Sequence, residues 1–274
     1  MPGITQTKLV KVLPSVKMIF VRWFLVFFCM SGLNVLSAQY SIQSSGNYAP
    51  QVQSPVDVTI NPDDITVPLD IGFDFTFFEN TYTQFSISSN GFISFQNGGG
   101  SGTVLQTIPD PDDPNDLIAL GWSSLLPDYT QFSYETLGTA PYRTLHINFY
   151  IWDSFEPPGC PSGFYLDGQI ILYETTNIIE IHTQNWSGGD CGLSATQGIE
   201  NEDGTVAFTL PGRNNDLWMV SNSLVRFIPD SYLDLEVSSM DPVMCEGLRD
   251  IRMLVQNVGG ATVDTFYADW TWDG

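Results

Sequence analysis

The sequence predicts an all-β protein, a jelly-roll-like β-sandwich of about a dozen strands followed by the first strands of an incomplete immunoglobulin-like sandwich. Three observations carry that prediction. Between Tyr40 and Asp230, short apolar runs alternate with polar residues at the two-residue period of a strand, and none keeps the 3.6-residue period of an amphipathic helix. Gly, Pro, Asn and Asp punctuate the runs. From Tyr232 to Gly274 the alternation continues through three more runs, too few for a sandwich that needs about seven strands in about 100 residues.

The first element is an export leader. Lys8, Lys11, Lys17 and Arg22 precede the apolar run Trp23 to Met30, and the small residues Ser37 and Ala38 precede Gln39, which assigns residues 1–38 as a signal peptide. Met18 is an alternative start that leaves a leader of more ordinary length. A membrane anchor is the competing reading, but the run falls short of the ~20 apolar residues that a span needs. Four of the nine basic residues and none of the thirty-one acidic ones lie in this segment, so residues 39–274 carry five arginines and a net charge of −26. Such a surface repels phosphate backbones and anionic headgroups, so neither nucleic acid nor membrane is an expected partner.

The second element, residues 39–230, is the sandwich. Ile65, Val67, Leu69 and Ile71 share a phase with Phe73, Phe75 and Phe77, which reads as one long strand or a bent pair burying a single face. Phe85 and Ile87 precede Ser88-Ser89-Asn90-Gly91, and Ile93 and Phe95 follow; Asn-Gly supplies the positive φ angles of a tight hairpin. Leu145, Ile147, Phe149 and Ile151 form a half-buried strand with His146, Asn148, Tyr150 and Trp152 on its other face. Gln169 to Tyr173 and Ile178 to His182 make a second hairpin across Glu174-Thr175-Thr176-Asn177. Trp122 and Trp218 are assigned to the core.

The third element, residues 231–274, alternates at Leu233, Leu235 and Val237, at Ile251, Met253 and Val255, and at Phe266, Ala268, Trp270 and Trp272. It reads as the N-terminal part of an immunoglobulin-like domain, and the chain as a fragment of a longer secreted protein. Cysteine usage suits an oxidising destination: Cys160 and Cys191 sit in two Gly-rich loops flanking one long hairpin, and a disulfide between them would close its open end. Cys245 then calls for a partner beyond Gly274.

Candidate chemistry is sparse. Asp110, Asp112, Asp113 and Asp116 concentrate four carboxylates in one loop, the hard oxygen ligands that calcium takes, and calcium is the one cofactor the sequence offers. Glu200, Glu202 and Asp203 are a second, weaker set. Glu180 and His182, two apart on one strand face, have the spacing of a base and its orienting carboxylate, against the commoner reading of a surface or intersheet histidine. With no Gly-x-Ser-x-Gly, no His-Glu-x-x-His and no phosphate-binding loop, no catalytic residue is assigned. Tyr150, Trp152 and Trp186 are the candidate ligand-binding residues, as rings that would stack on sugars.

Phe77-Phe78-Glu79-Asn80-Thr81-Tyr82, Phe85 to Phe95, and Leu117-Ile118-Ala119-Leu120-Gly121-Trp122 together resemble nidogen-like extracellular modules, although Gly121 departs from the usual Pro-Phe-Trp phrase. With Gly138-Thr139-Ala140-Pro141, Ile171 to Asn177 and Gly198 to Gly204, the chain is more closely similar to the N-terminal β-domains of secreted multidomain proteins of Bacteroidetes-type bacteria. Asp234-Leu235-Glu236-Val237 and Gln256-Asn257-Val258-Gly259 resemble the start of a CARDB-like cell-adhesion module. The resemblance implies a secreted or cell-surface protein, type IX secretion, and a non-catalytic interaction or adhesion role toward an extracellular protein or glycan, alongside downstream domains of the same polypeptide. Two alternatives stand beside it: an accessory domain of a secreted hydrolase, and a calcium-dependent glycan-binding domain.

Overall fold

The computed structural model describes residues 5–11, 40–44, 46–50, 53–96, 100, 102, 104–125, 128–153, 163–230, 235–245, 248–257 and 265–271. The chain divides into two units, residues 1–37 with 231–274, and residues 38–230. The smaller unit holds β1 (Thr5–Lys11), paired antiparallel with the last strand, and an antiparallel hairpin from the third sequence element.

The larger unit is an all-β sandwich of two antiparallel sheets, and among its described residues the only helical piece is one 3-10 turn. In chain order its strands are β2 (Tyr40–Ser44), β3 (Val56–Val58), β4 (Leu69–Phe77), β5 (Asn80–Ser88), β6 (Phe92–Ser94), β7 (Leu117–Trp122), β8 (Tyr129–Leu137), β9 (Thr144–Asp153), β10 (Phe164–Tyr173), β11 (Ile179–Trp186), β12 (Ser194–Glu200), β13 (Ala207–Thr209), β14 (Asp216–Leu217) and β15 (Val220–Pro229), with the 3-10 turn at Gly188–Cys191. One seven-stranded sheet runs β2-β15-β11-β10-β9-β8-β3 and the other runs β13-β12-β7-β6-β5-β4, with β14 joined to β12. In the smaller unit the hairpin strands are β16 (Leu235–Cys245) and β17 (Leu248–Asn257), and β18 (Thr265–Thr271) is the partner of β1. The three expected runs are thus strands, but the third pairs with β1. An edge strand's row of open N–H and C=O groups takes whichever strand lies alongside.

Period-two alternation builds the core between the sheets. In β4, Ile71, Phe73, Phe75 and Phe77 are buried while Asp70, Gly72 and Asp74 face solvent. They meet Leu145, Ile147, Phe149 and Ile151 of β9, Ile170 and Leu172 of β10, Ile179 and Ile181 of β11, and Val225 and Phe227 of β15 in one cluster. Each such side chain contributes about 2 kcal/mol by leaving water. The long strand starts later than its periodicity suggests: Val67 is 77% exposed and Ile65 makes only an isolated bridge to Ser88. Pro68, which cannot donate to a ladder, separates them from β4. The β5–β6 hairpin forms as expected, with Gly91 at φ 91° as the left-handed residue of its loop; Asn90 instead buries its amide, accepting from the Leu125 N–H at 2.8 Å.

β2 and β3 form opposite edges of the first of these sheets, and of the chain between them the described residues 46–50 and 53–55 lie over its outer face as a strap. That strap positions the polar groups described next.

Candidate functional site

Beneath the strap, the outer face of that first sheet is polar and largely buried. Register sets Arg226 of β15 beside Glu180 of β11, His182 beside Gln169 of β10, Gln169 beside Asn148 of β9, and Asn148 and His146 beside Ser133 and Glu135 of β8. The groups bond across the strands. Arg226 Nε donates to Glu180 Oε1 at 2.6 Å, Tyr173 donates to Glu180 Oε2 at 3.0 Å, Gln169 Nε2 to Asn148 Oδ1 at 2.6 Å, and Asn148 Nδ2 to Ser133 Oγ at 3.0 Å. The strap closes the row from above. The Gln53 and Ser54 N–H groups donate to the two oxygens of Glu135 at 2.6 and 2.9 Å, and Ala49 N–H donates to His182 Nδ1 at 3.3 Å.

That last bond decides what the Glu180–His182 pair can do. With Nδ1 accepting from Ala49, the ring proton sits on Nε2 and is given to Glu180 Oε2 at 2.8 Å. A general base needs a free ring nitrogen facing its substrate, and here both nitrogens are committed on a residue only 4% exposed. The pair therefore works as a latch between strap and sheet. Burial pushes the Glu180 carboxyl up, but hydrogen bonds from His182, Arg226 and Tyr173 outweigh it and hold Glu180 below its ordinary value. His146, the other histidine, bonds Thr144 Oγ1 at 2.8 Å; burial lowers its pKa, and the hydrogen bond to Gln169 only partly opposes that.

Beyond the strap the same face turns aromatic. Tyr129 of β8, Trp152 of β9 and Tyr165 of β10 are direct cross-strand partners, and the next row is Gln131, Tyr150, Asp167 and Asn185. Tyr150 lies 5.9 Å from Tyr129 and 6.4 Å from Tyr165 between ring centroids. Tyr129 is 51% exposed, Tyr150, Trp152 and Tyr165 are half-buried, and the Trp152 Nε1 atom itself is buried without a hydrogen-bond partner among the described residues. Tyr48 of the strap borders this patch; burial and the neighbouring Asp167 push its hydroxyl up to about 12.

Trp186, the third ring expected here, is elsewhere. In sequence it keeps the phase of Glu180 and His182, but Gln184 is bulged out where the register jumps between Asp167 and Gly168. One extra residue inverts every later side chain. Trp186 is therefore opposite Leu166, fully buried against Phe164 and Trp218 at 6.1 and 5.7 Å, and offers no platform. Tyr129 and Tyr165 were missed in its place, because only register puts them beside Trp152.

The acidic loop does not converge on one point. Asp110 Oδ1 accepts from Asp112 N–H at 3.0 Å, Asp113 Oδ1 from Gln96 Nε2 at 3.0 Å, and Asp116 is buried against Tyr82. Among the described residues no group of three or more His, Cys, Asp or Glu is placed to hold a metal. The second acidic set also separates: Glu202 accepts from Asn80 at 2.8 Å, Asp203 accepts from the Thr205 hydroxyl at 2.6 Å, and Glu200 is fully buried. Glu200 Oε1 accepts from Asp110 N–H at 2.7 Å while Oε2 has no partner among the described residues. Burial, together with the nearby Asp110 carboxylate, pushes Glu200 up to about 7; burial does the same to Asp116, with Glu202 adding to it and Tyr82 opposing.

Residues 39–225 match the family described as NIDO related. The chain belongs to the NIDO-related family. The match covers the two seven-stranded sheets almost entirely, so the strap, the latch and the aromatic row all belong to the NIDO-related part of the chain. No curated protein and no solved structure matches. Cys191 ends the 3-10 turn with Sγ 3.7 Å from the Gly163 carbonyl oxygen, and Cys160 lies outside the described residues.

Proposed function

We propose that this NIDO-related domain is a non-catalytic extracellular interaction module that makes contact through the aromatic end of the sheet that carries β8, β9 and β10. The observation that carries this reading is the row Tyr129–Trp152–Tyr165, partly exposed on a face whose Glu135 and His182 are engaged by the strap. Export through the 1–38 leader, and a CARDB-like module opening at residue 231, complete the reading; the antiparallel hairpin β16–β17 supports the latter. A pairing of Cys191 with Cys160 fits an oxidising destination, and its support is that Cys191 Sγ lies 3.7 Å from the carbonyl oxygen of Gly163, three positions from Cys160 in sequence. Peptide mapping of the exported protein without reductant should recover the 160–191 link, and two free thiols there would refute it.

Adhesion of the immobilised full chain to intact cells or extracellular material tests the contact surface. Tyr129→Ala, at an exposed position, should leave the melting temperature unchanged and reduce adhesion severalfold. Equal adhesion by wild type and variant would place the contact elsewhere. An accessory role beside a hydrolase would use the same surface and differ only in what the rest of the polypeptide does.

A further inference from the structure

We infer that the aromatic row is a binding site for an uncharged oligosaccharide chain lying across β8, β9 and β10, and that it works without a metal. This rests on the reading of that face as the contact surface and names its ligand class. Strands are about 4.8 Å apart, so Tyr129, Trp152 and Tyr165 form a strip about 10 Å long between outer Cα positions. It is narrow, with Gln131, Asp167 and Asn185 flanking Tyr150 in the adjacent row, and Tyr48 close to Asp167.

A protein partner needs roughly 800 Å² per side with a broad apolar centre. Within this row only Tyr129 is more than half exposed. The strip suits a slender ligand with flat apolar faces and a hydroxyl rim, which is the shape of a pyranose chain.

Charge narrows the class. Residues 39–274 carry a net −26, and the arginines of the sandwich are engaged elsewhere: Arg143 with Glu174, Arg226 with Glu180, and Arg213 over the Trp218 ring at 4.9 Å. No described cation borders the row, so uronate or sulfated chains would meet only repulsion. Among the described residues of the two rows Asp167 is the single carboxylate, too few for a calcium site.

The test is native affinity electrophoresis of the full chain through gels cast with xyloglucan, galactomannan, mixed-linkage β-glucan or starch, and with polygalacturonate as the anionic comparison. At least one neutral polymer should retard the protein, equally with and without EDTA, and polygalacturonate should not. Trp152→Ala should weaken that retardation about tenfold or more. Tyr129→Ala, which removes an exposed ring and spares the fold, should weaken it severalfold. Migration unaffected by every neutral polymer would overturn the inference, as would retardation abolished by EDTA or indifferent to both substitutions. If Tyr129-dependent cell adhesion persists while no glycan retards the protein, the ligand class is wrong and the contact surface stands. Loss of both signals removes both.

Discussion

The stripe under the strap and the corner beneath residues 110–116 each bury a glutamate, and they treat it in opposite ways. Glu180 has three side-chain partners, from His182, Arg226 and Tyr173, and stays ionised; Glu200 has one backbone N–H, an oxygen without a partner among the described residues, and a neighbouring carboxylate, and is pushed up to about 7. Burial is the largest cause acting on both and has the same sign in both. The partners decide the charge. The first arrangement makes a charged latch, and the second an acid that titrates near neutral pH and holds a loop.

Removing the Glu180 carboxylate should break the comparison most visibly. Glu180→Ala leaves His182, Tyr173 and Arg226 without their shared acceptor and should cost about 3–5 kcal/mol in chemical denaturation at pH 7. A cost below about 1 kcal/mol would mean that the latch is screened like a surface pair.

The pH profile of stability separates the two glutamates by sign. Glu180 is lowered in the folded state, so its contribution is present above the ordinary carboxylate value of 4.5 and is lost as pH falls below it. His146 is lowered from 6.5, so falling pH charges the unfolded chain first and costs stability below about 6.5. Glu200 and Asp116 act the other way: with folded values of about 7, they favour folding at low pH and that stability is lost as pH rises from about 4 to about 7. Denaturation midpoints from pH 3 to 9 should therefore fall away on both sides of an intermediate maximum. A flat neutral limb would remove the claim for Glu200 and Asp116.

The smallest effect sharpens the contrast. Glu200→Gln keeps the acceptor for Asp110 N–H and discards the titration, so it should lie within about 0.5 kcal/mol of wild type at pH 5 and be more stable by about 1 kcal/mol or more at pH 8. Equal destabilisation at both pH values would show that Oε2 has a partner that the amide cannot replace.

The legible part of the site was its alternation. His146, Asn148, Tyr150 and Trp152 read correctly as one face of β9, because the period of two is a local property of the chain. Trp186 read wrongly for the same reason: its phase looks continuous with His182 until the Gln184 bulge reverses it, and nothing local marks that bulge. Four aspartates close in sequence also looked like one site, yet Asp113 turns to Gln96 and Asp116 to Tyr82.

By itself the sequence determined the all-β class, the strands with their buried faces, and the strong acidity beyond residue 38, since these follow from residue type and spacing. Only the tertiary structure decided what lies across from what. Strand order carried β2 and β3 to opposite edges and so made a strap, register brought Tyr129, Trp152 and Tyr165 into one row, and packing chose which glutamate keeps its charge. Partner, register and burial are relations between residues distant in the chain, and periodicity within a strand holds no record of them.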